Sequence, residues 1–152
     1  MSLVGDLSSN LTLLVDKLNE YDEHLEKAEP FFKMEGEKLE KLCKQHPGAL
    51  SFYDRKLGEL KTIEDLVQSK LKEIESAHWK RYNEKYPRSL TTQDIRAYIA
   101  GEKDYNQMYE ILLEVVNMKR QYEAVVDALK QMGWTLKNIV DLRIAQLELI
   151  EL

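Results

Sequence analysis

Apolar residues recur along most of this chain at alternating steps of three and four, the spacing that puts side chains on one face of an α-helix. The first run is Leu7, Leu11, Leu14, Leu18, Tyr21, Leu25 and Ala28, and Pro30 stops it. It forms a heptad seam, which predicts a helix whose apolar edge faces another helix, in the same chain or in a second subunit. The segment PFFKMEGEKLEKLCKQHPG then carries Phe31, Phe32, Met34, Leu39, Leu42 and Cys43 on a short helix closed by His46-Pro47-Gly48, because proline and glycine are the strongest local breakers.

From Ala49 the positions Leu50, Tyr53, Leu57, Leu60, Ile63, Val67, Leu71, Ile74 and His78 hold the pattern to about Tyr86, with Gly58 as the one internal weakness. A helix over 49–86 would be about 57 Å long, longer than a compact domain of this size is wide. Such an arm is expected to protrude or to join an assembly. Pro87 ends it, since proline has no N–H to donate. SLTTQDIRAYIAG reads as a short helix capped by Thr91, with Asp94 three places on and Gly101 as its stop. In the next helix Tyr105, Met108, Tyr109, Leu112, Val115, Val116, Tyr122, Val125, Val126, Leu129 and Met132 share a face, with Asp104 as cap and Gly133 as stop. A last amphipathic segment carries Leu136, Ile139, Val140, Leu147 and Ile150. An apolar stripe of that length asks for a partner. These five residues are the candidate oligomerisation face, the alternative being that they fold back onto the helix over 104–132. The expected architecture is all-α and extended, one helical domain over 1–152. It divides into N-terminal helices (1–48), a long central helix (49–86), a connector (87–103) and C-terminal helices (104–152).

Composition agrees with that reading. Of 152 residues, 43% are hydrophobic and 32% charged, with only 3 prolines and 6 glycines to interrupt helices. No apolar run approaches the roughly 20 residues that span a bilayer, and the N-terminus lacks the basic flank and long apolar core of a signal peptide. A cytoplasmic protein without a membrane partner is expected. The lone Cys43 excludes an intrachain disulfide and any cysteine-based zinc motif. His24, His46 and His78 stand at no metal-ligand spacing, and the glycines form neither a P-loop nor a dinucleotide fingerprint. No catalysis, metal or cofactor is expected, and the many carboxylates among lysines read as solvated helix faces.

Charge changes the picture at one place. The formal net charge is −5, yet residues 70–96 hold seven bases (Lys70, Lys72, Lys80, Arg81, Lys85, Arg88, Arg96) against four acids. Within them, HWKRYNEKYPRSL interleaves His78, Trp79, Tyr82 and Tyr86 with cations. Single-stranded nucleic acid is held by cations that neutralise phosphates and by rings that stack on bases. The same residues also fit a solvated helix end whose rings are core and whose bases pair with acids of a neighbour.

Four stretches carry a likeness: EKLCKQHPGALSFYDRKLGEL, KLKEIESAHWKRY, IRAYIAGEKDYNQMYEILLEVV and, most specific, ALKQMGWTLKNIVDLRIAQ. Over roughly residues 36 to 146 the chain resembles the UvsY recombination mediators of tailed bacteriophages. The family's Tyr-Tyr-x-Gly turn stands here as Arg81-Tyr82-Asn83-Glu84, and its aromatic after the C-terminal arginine is replaced by Ile144 and Ala145 after Arg143. The resemblance implies a ring-like homo-oligomer, a hexamer or heptamer, that binds single-stranded DNA. It would load a RecA-like phage recombinase onto strands coated by single-strand-binding protein, without covalent chemistry. It places the DNA-contacting role on Lys72, His78, Lys80 and Arg81, with Lys85 and Arg88 next along; the composition of the segment adds Trp79 and Tyr82 as its stacking rings. The rival expectation is a helical adaptor or assembly chaperone that binds partner proteins and no DNA.

Overall fold

The computed structural model describes residues 11–85 and 89–151, with side chains described for 12–85 and 89–146. Four helices account for nearly all of it: α1 (Leu11–Glu26), α2 (Leu39–Lys85), α3 (Thr92–Ala100) and α4 (Lys103–Glu151), with a 3-10 turn at Glu29–Phe32 and no strand among the described residues. Two of these dominate. At 47 and 49 residues, α2 and α4 are each about 70 Å long.

The long helices lie antiparallel, as three side-chain pairs record. Lys119 meets Glu64 at 2.6 Å, His78 meets Asp104 at 2.7 Å and His46 meets the carbonyl of Leu129 at 2.6 Å. The central helix therefore finds its companion within its own chain. Leu57, Leu60, Ile63 and Val67 of α2 bury against Met108, Val115, Val126 and Leu129 of α4. Each such side chain contributes about 1.5–3 kcal/mol of burial.

The heptad seam of α1 closes a three-helix section over the middle of the hairpin. Leu14, Leu18 and Tyr21 are buried, and Leu25 packs against the same core; Leu7 and the side chain of Leu11 lie outside the described residues. Three tyrosines pin this helix. Tyr122 donates to the Tyr21 carbonyl and Tyr53 to the His24 carbonyl, both at 2.7 Å, while the Tyr21 hydroxyl donates to Glu59 at 2.7 Å. The His24 carbonyl is in the last turn of α1 and has no helical donor, so the Tyr53 hydroxyl satisfies an otherwise orphaned acceptor. Tyr21 and Tyr122 meet edge to face, with centroids 5.7 Å apart.

The structure corrects two helix boundaries. The segment closed at His46-Pro47-Gly48 is not one short helix: Phe31 and Phe32 lie in the 3-10 turn and Met34 beyond it, while Leu39, Leu42 and Cys43 open α2, which runs through Pro47 without a break. Proline in a helix interior costs about 3 kcal/mol. Here Pro47 and Gly48 face solvent, while Leu42, Ala49 and Tyr53 are buried on either side of them. Packing of that face outweighs the lost backbone bond. Likewise Gly133 does not end a helix, because α4 continues through it to Glu151. Its role is close approach: a Cβ built there would stand 2.9 Å from Cε1 of His46. The positive-φ glycine is Gly36 (φ 75°), in the turn that leads into α2.

Of the residues assigned one face of α4, Met108, Val115, Tyr122, Val126, Leu129 and Met132 are buried, whereas Tyr109 is exposed. The short helix α3 begins and ends where its signals lie. Thr91 caps it with a complete capping box to Asp94, and Gly101 follows its last turn. Asp104 is not a cap: α4 starts one residue earlier, and Asp104 sits in its first turn. Among the described residues, no helix is long and apolar enough to cross a membrane.

Candidate nucleic-acid interface

The basic segment occupies the end of α2 where the chain turns through α3 into α4. A second, smaller core holds this corner, built from Tyr82, Ile95 and Ile99, with Trp79, Leu90 and Tyr105 packed against it. Tyr82 is therefore a core ring with a polar tip, and its hydroxyl donates to Glu102, which lies just before α4.

Glu102 collects more than that hydroxyl. The Arg81 guanidinium donates to the same carboxylate oxygen, and Nδ1 of His78 stands 3.8 Å from it. Arg81 also contacts Nδ1 of His78 at 2.9 Å. A guanidinium can only donate, so Nδ1 accepts, and the ring proton is on Nε2, which donates to Asp104 at 2.7 Å. Asp104 further accepts the Tyr105 backbone N–H at 2.8 Å. Two bases of the segment are thus tied to two acids more than twenty residues away in sequence.

The titration directions follow from these contacts. The Tyr82 hydroxyl, then the Arg81 guanidinium, hold the Glu102 carboxyl below its usual range. The His78 hydrogen bond, helped by the Tyr105 amide, does the same for Asp104. Glu102 in turn raises Arg81. His78, Glu102 and Asp104 bring ligand atoms within 4.8 Å of one another, a spacing that could hold a metal ion. The positive charge there is already supplied by Arg81, whose guanidinium lies on both Glu102 and His78.

The remaining cations stand apart from this cluster. Lys72 and Lys80 are exposed and make no ion pair among the described residues. Helical spacing places them with Ser76 and Asn83 on the side of α2 turned away from the core. Beside them Trp79 is half-buried and forms, with Glu75, Ser76 and Lys80, a surface depression of about 230 Å³. Lys85 is exposed in the last turn of α2, and Arg88 lies outside the described residues. Lys72, Trp79 and Lys80 therefore share one accessible surface, while His78, Arg81 and Tyr82 brace the corner.

Sequence reasoning missed Glu102 as a partner, and it took Asp104 for a cap. It also passed over Tyr98, which is exposed and stacks on Tyr82 with centroids 5.5 Å apart. The local signal at Asp104 was a helix start, and nothing local reveals which residue it faces across the hairpin.

The five candidate oligomerisation residues divide. Leu136 is buried in the main core, Ile139 and Val140 are half-buried, and Leu147 and Ile150 lie outside the described side chains. The apolar groups α4 does expose here are Trp134, Leu142 and Ile144; helical spacing places Leu142 and Ile144 on opposite flanks of Trp134. A larger, apolar depression of about 410 Å³ lies where α1 ends against α2, lined by His24, Lys27, Phe31, Gly48, Ala49, Phe52 and Tyr53. The chain matches no protein-family model, no curated protein and no solved structure.

Proposed function

We propose that this chain is a non-enzymatic mediator of DNA recombination that binds single-stranded DNA as a ring-like homo-oligomer of six or seven copies. It helps load a RecA-like recombinase onto strands coated by single-strand-binding protein, in the cytoplasm of the infected host. The observation that carries the reading is the outward surface of α2, where Trp79 sits in a depression beside Lys80 with Lys72 two turns away. That is a stacking ring flanked by unpaired cations, the minimum a sequence-tolerant strand site needs.

One copy would hold DNA weakly, since few phosphates are neutralised and the chain as a whole is acidic. Repetition around a ring makes each further contact intramolecular and raises overall avidity without new chemistry. The acidic remainder would confine the strand to one face. The exposed Trp134, Leu142 and Ile144 of α4 offer apolar surface for contacts between copies.

The adaptor reading has its own support, because Arg81 and His78 are paired within the chain and unavailable as they stand. Fluorescence anisotropy with a labelled oligonucleotide separates the two. The mediator reading expects binding whose salt slope falls by about 0.7 for each of Lys72→Ala and Lys80→Ala. Negligible signals for wild type at low salt leave the adaptor standing.

A further inference from the structure

We infer that Tyr82 and Arg81 form an anion site for a phosphate of the DNA backbone, and that Glu102 is its resident occupant, displaced when a strand binds. The inference rests on the DNA-binding reading above and adds a regulation to it. Its basis is the convergence of two donors on one carboxylate oxygen. The Tyr82 hydroxyl and the Arg81 guanidinium both donate to Oε1 of Glu102, and Nδ1 of His78, 3.8 Å from the same atom, accepts from Arg81 and so orients the guanidinium. The two donors come from successive residues of α2 and are held by a rigid helix. The acceptor comes from the short connector between α3 and α4.

Carboxylate and phosphate oxygens accept the same charge-assisted bonds from a guanidinium. A guanidinium cannot shed its proton, so when Glu102 is displaced the charge is left to water or to another anion, and a phosphate is the stronger partner. The site is open to one: the Arg81 side chain is 44% exposed and that of Glu102 26%. Arg81 lies about 100° round α2 from Lys80 and opposite Lys72, so a strand lying along Lys72, Trp79 and Lys80 reaches it by crossing the helix at Lys80. An internal occupant weakens each single copy. Only a strand that engages several copies at once then displaces several carboxylates, which biases the protein toward long single strands.

The test is anisotropy of a fluorescein-labelled oligothymidylate against the full chain, titrated with salt. Glu102→Gln keeps the side-chain length and an oxygen that accepts from Tyr82 and Arg81, and removes only the charge. Its expected affinity gain is about threefold to fivefold, the scale of one exposed ion pair. Its salt slope should match the wild type's, because displacement of Glu102 leaves the same phosphate on Arg81 in both. Arg81→Ala should abolish that gain in the Glu102→Gln background, change the wild-type affinity little, and lower the salt slope by about 0.7 in both backgrounds. Should Glu102→Gln melt the corner, as judged by circular dichroism, Arg81→Ala in the wild-type background serves instead, and it must lower the salt slope by about 0.7. If wild type binds but Glu102→Gln binds no more tightly, or, where that variant melts, Arg81→Ala leaves the slope unchanged, the inference is overturned, Glu102 is only a clasp at the corner, and the DNA reading survives. If no form binds in dilute salt, the DNA reading itself falls and takes this assignment with it.

Discussion

Replacing Gly133 by alanine sets two opposed terms against each other, and the structure decides their sign. In a helix interior, glycine to alanine gains about 0.8–1.0 kcal/mol. That gain would appear unopposed if the position were open. It is not, because the new Cβ would stand 2.9 Å from Cε1 and 3.4 Å from Nε2 of His46, where non-bonded carbons prefer about 3.5–4.0 Å. His46 must turn away, and its 2.6 Å bond to the Leu129 carbonyl breaks. The bond contributes about 0.5–1.5 kcal/mol, and repacking a filled contact costs about 1–3 kcal/mol. The net expectation is destabilisation by about 0.5–3.5 kcal/mol. In a His46→Ala background the obstacle is gone, and Gly133→Ala should stabilise by about 1 kcal/mol. Urea unfolding of the four chains closes the cycle, with the change read in the midpoint at constant slope. Stabilisation in the wild-type background would refute the close approach. A cost in both backgrounds would instead mean that the helix stops at Gly133, as its sequence alone suggests.

Burial raises the pKa values of Tyr21, Tyr53 and Tyr122, with Glu59 adding to the shift at Tyr21. Their stabilising contribution is therefore complete below the unfolded tyrosine value near 10 and is lost as pH rises beyond it, at about 1.4 kcal/mol per pH unit for each ring kept neutral. Urea midpoints from pH 9 to 11.5 should fall steeply, and less so in Tyr122→Phe; a flat profile would contradict the buried tyrosine triad. Glu102 and Asp104 are shifted the other way, so the corner keeps their contribution above the ordinary carboxylate range and loses it as pH falls through their lowered values. Trp79 emission in a Trp134→Phe chain should report loosening on acidification below about pH 4, and the response should shrink in Glu102→Gln. Thr91→Ala removes the capping box of α3 and should cost about 1 kcal/mol. Hydrogen exchange of the α3 amides measures it, and unchanged protection would show that packing of Ile95 and Ile99 alone holds that helix.

Local chemistry settled much of this molecule in advance. The three-four spacing of apolar residues determines that these segments are helices and which faces they bury, as Leu60, Ile63 and Val67 or Val115, Tyr122 and Leu129 show. Thr91, Asp94 and Gly101 bound α3 because a cap is satisfied by neighbours within one turn. The seven bases around Trp79 are equally plain on the page. Where the long helices stop was not legible. A breaker such as Pro47 carries a local cost of about 3 kcal/mol, and whether it ends a helix depends on packing supplied by residues some ninety positions away. Gly133 looked like a stop because only the fold brings His46 against it. The division of the cations is tertiary for the same reason. Lys72 and Lys80 face outward by helical phase alone, but Arg81 and His78 are bound only because the hairpin returns Glu102 and Asp104 to them, and charges in folded chains pair across space without regard to sequence distance.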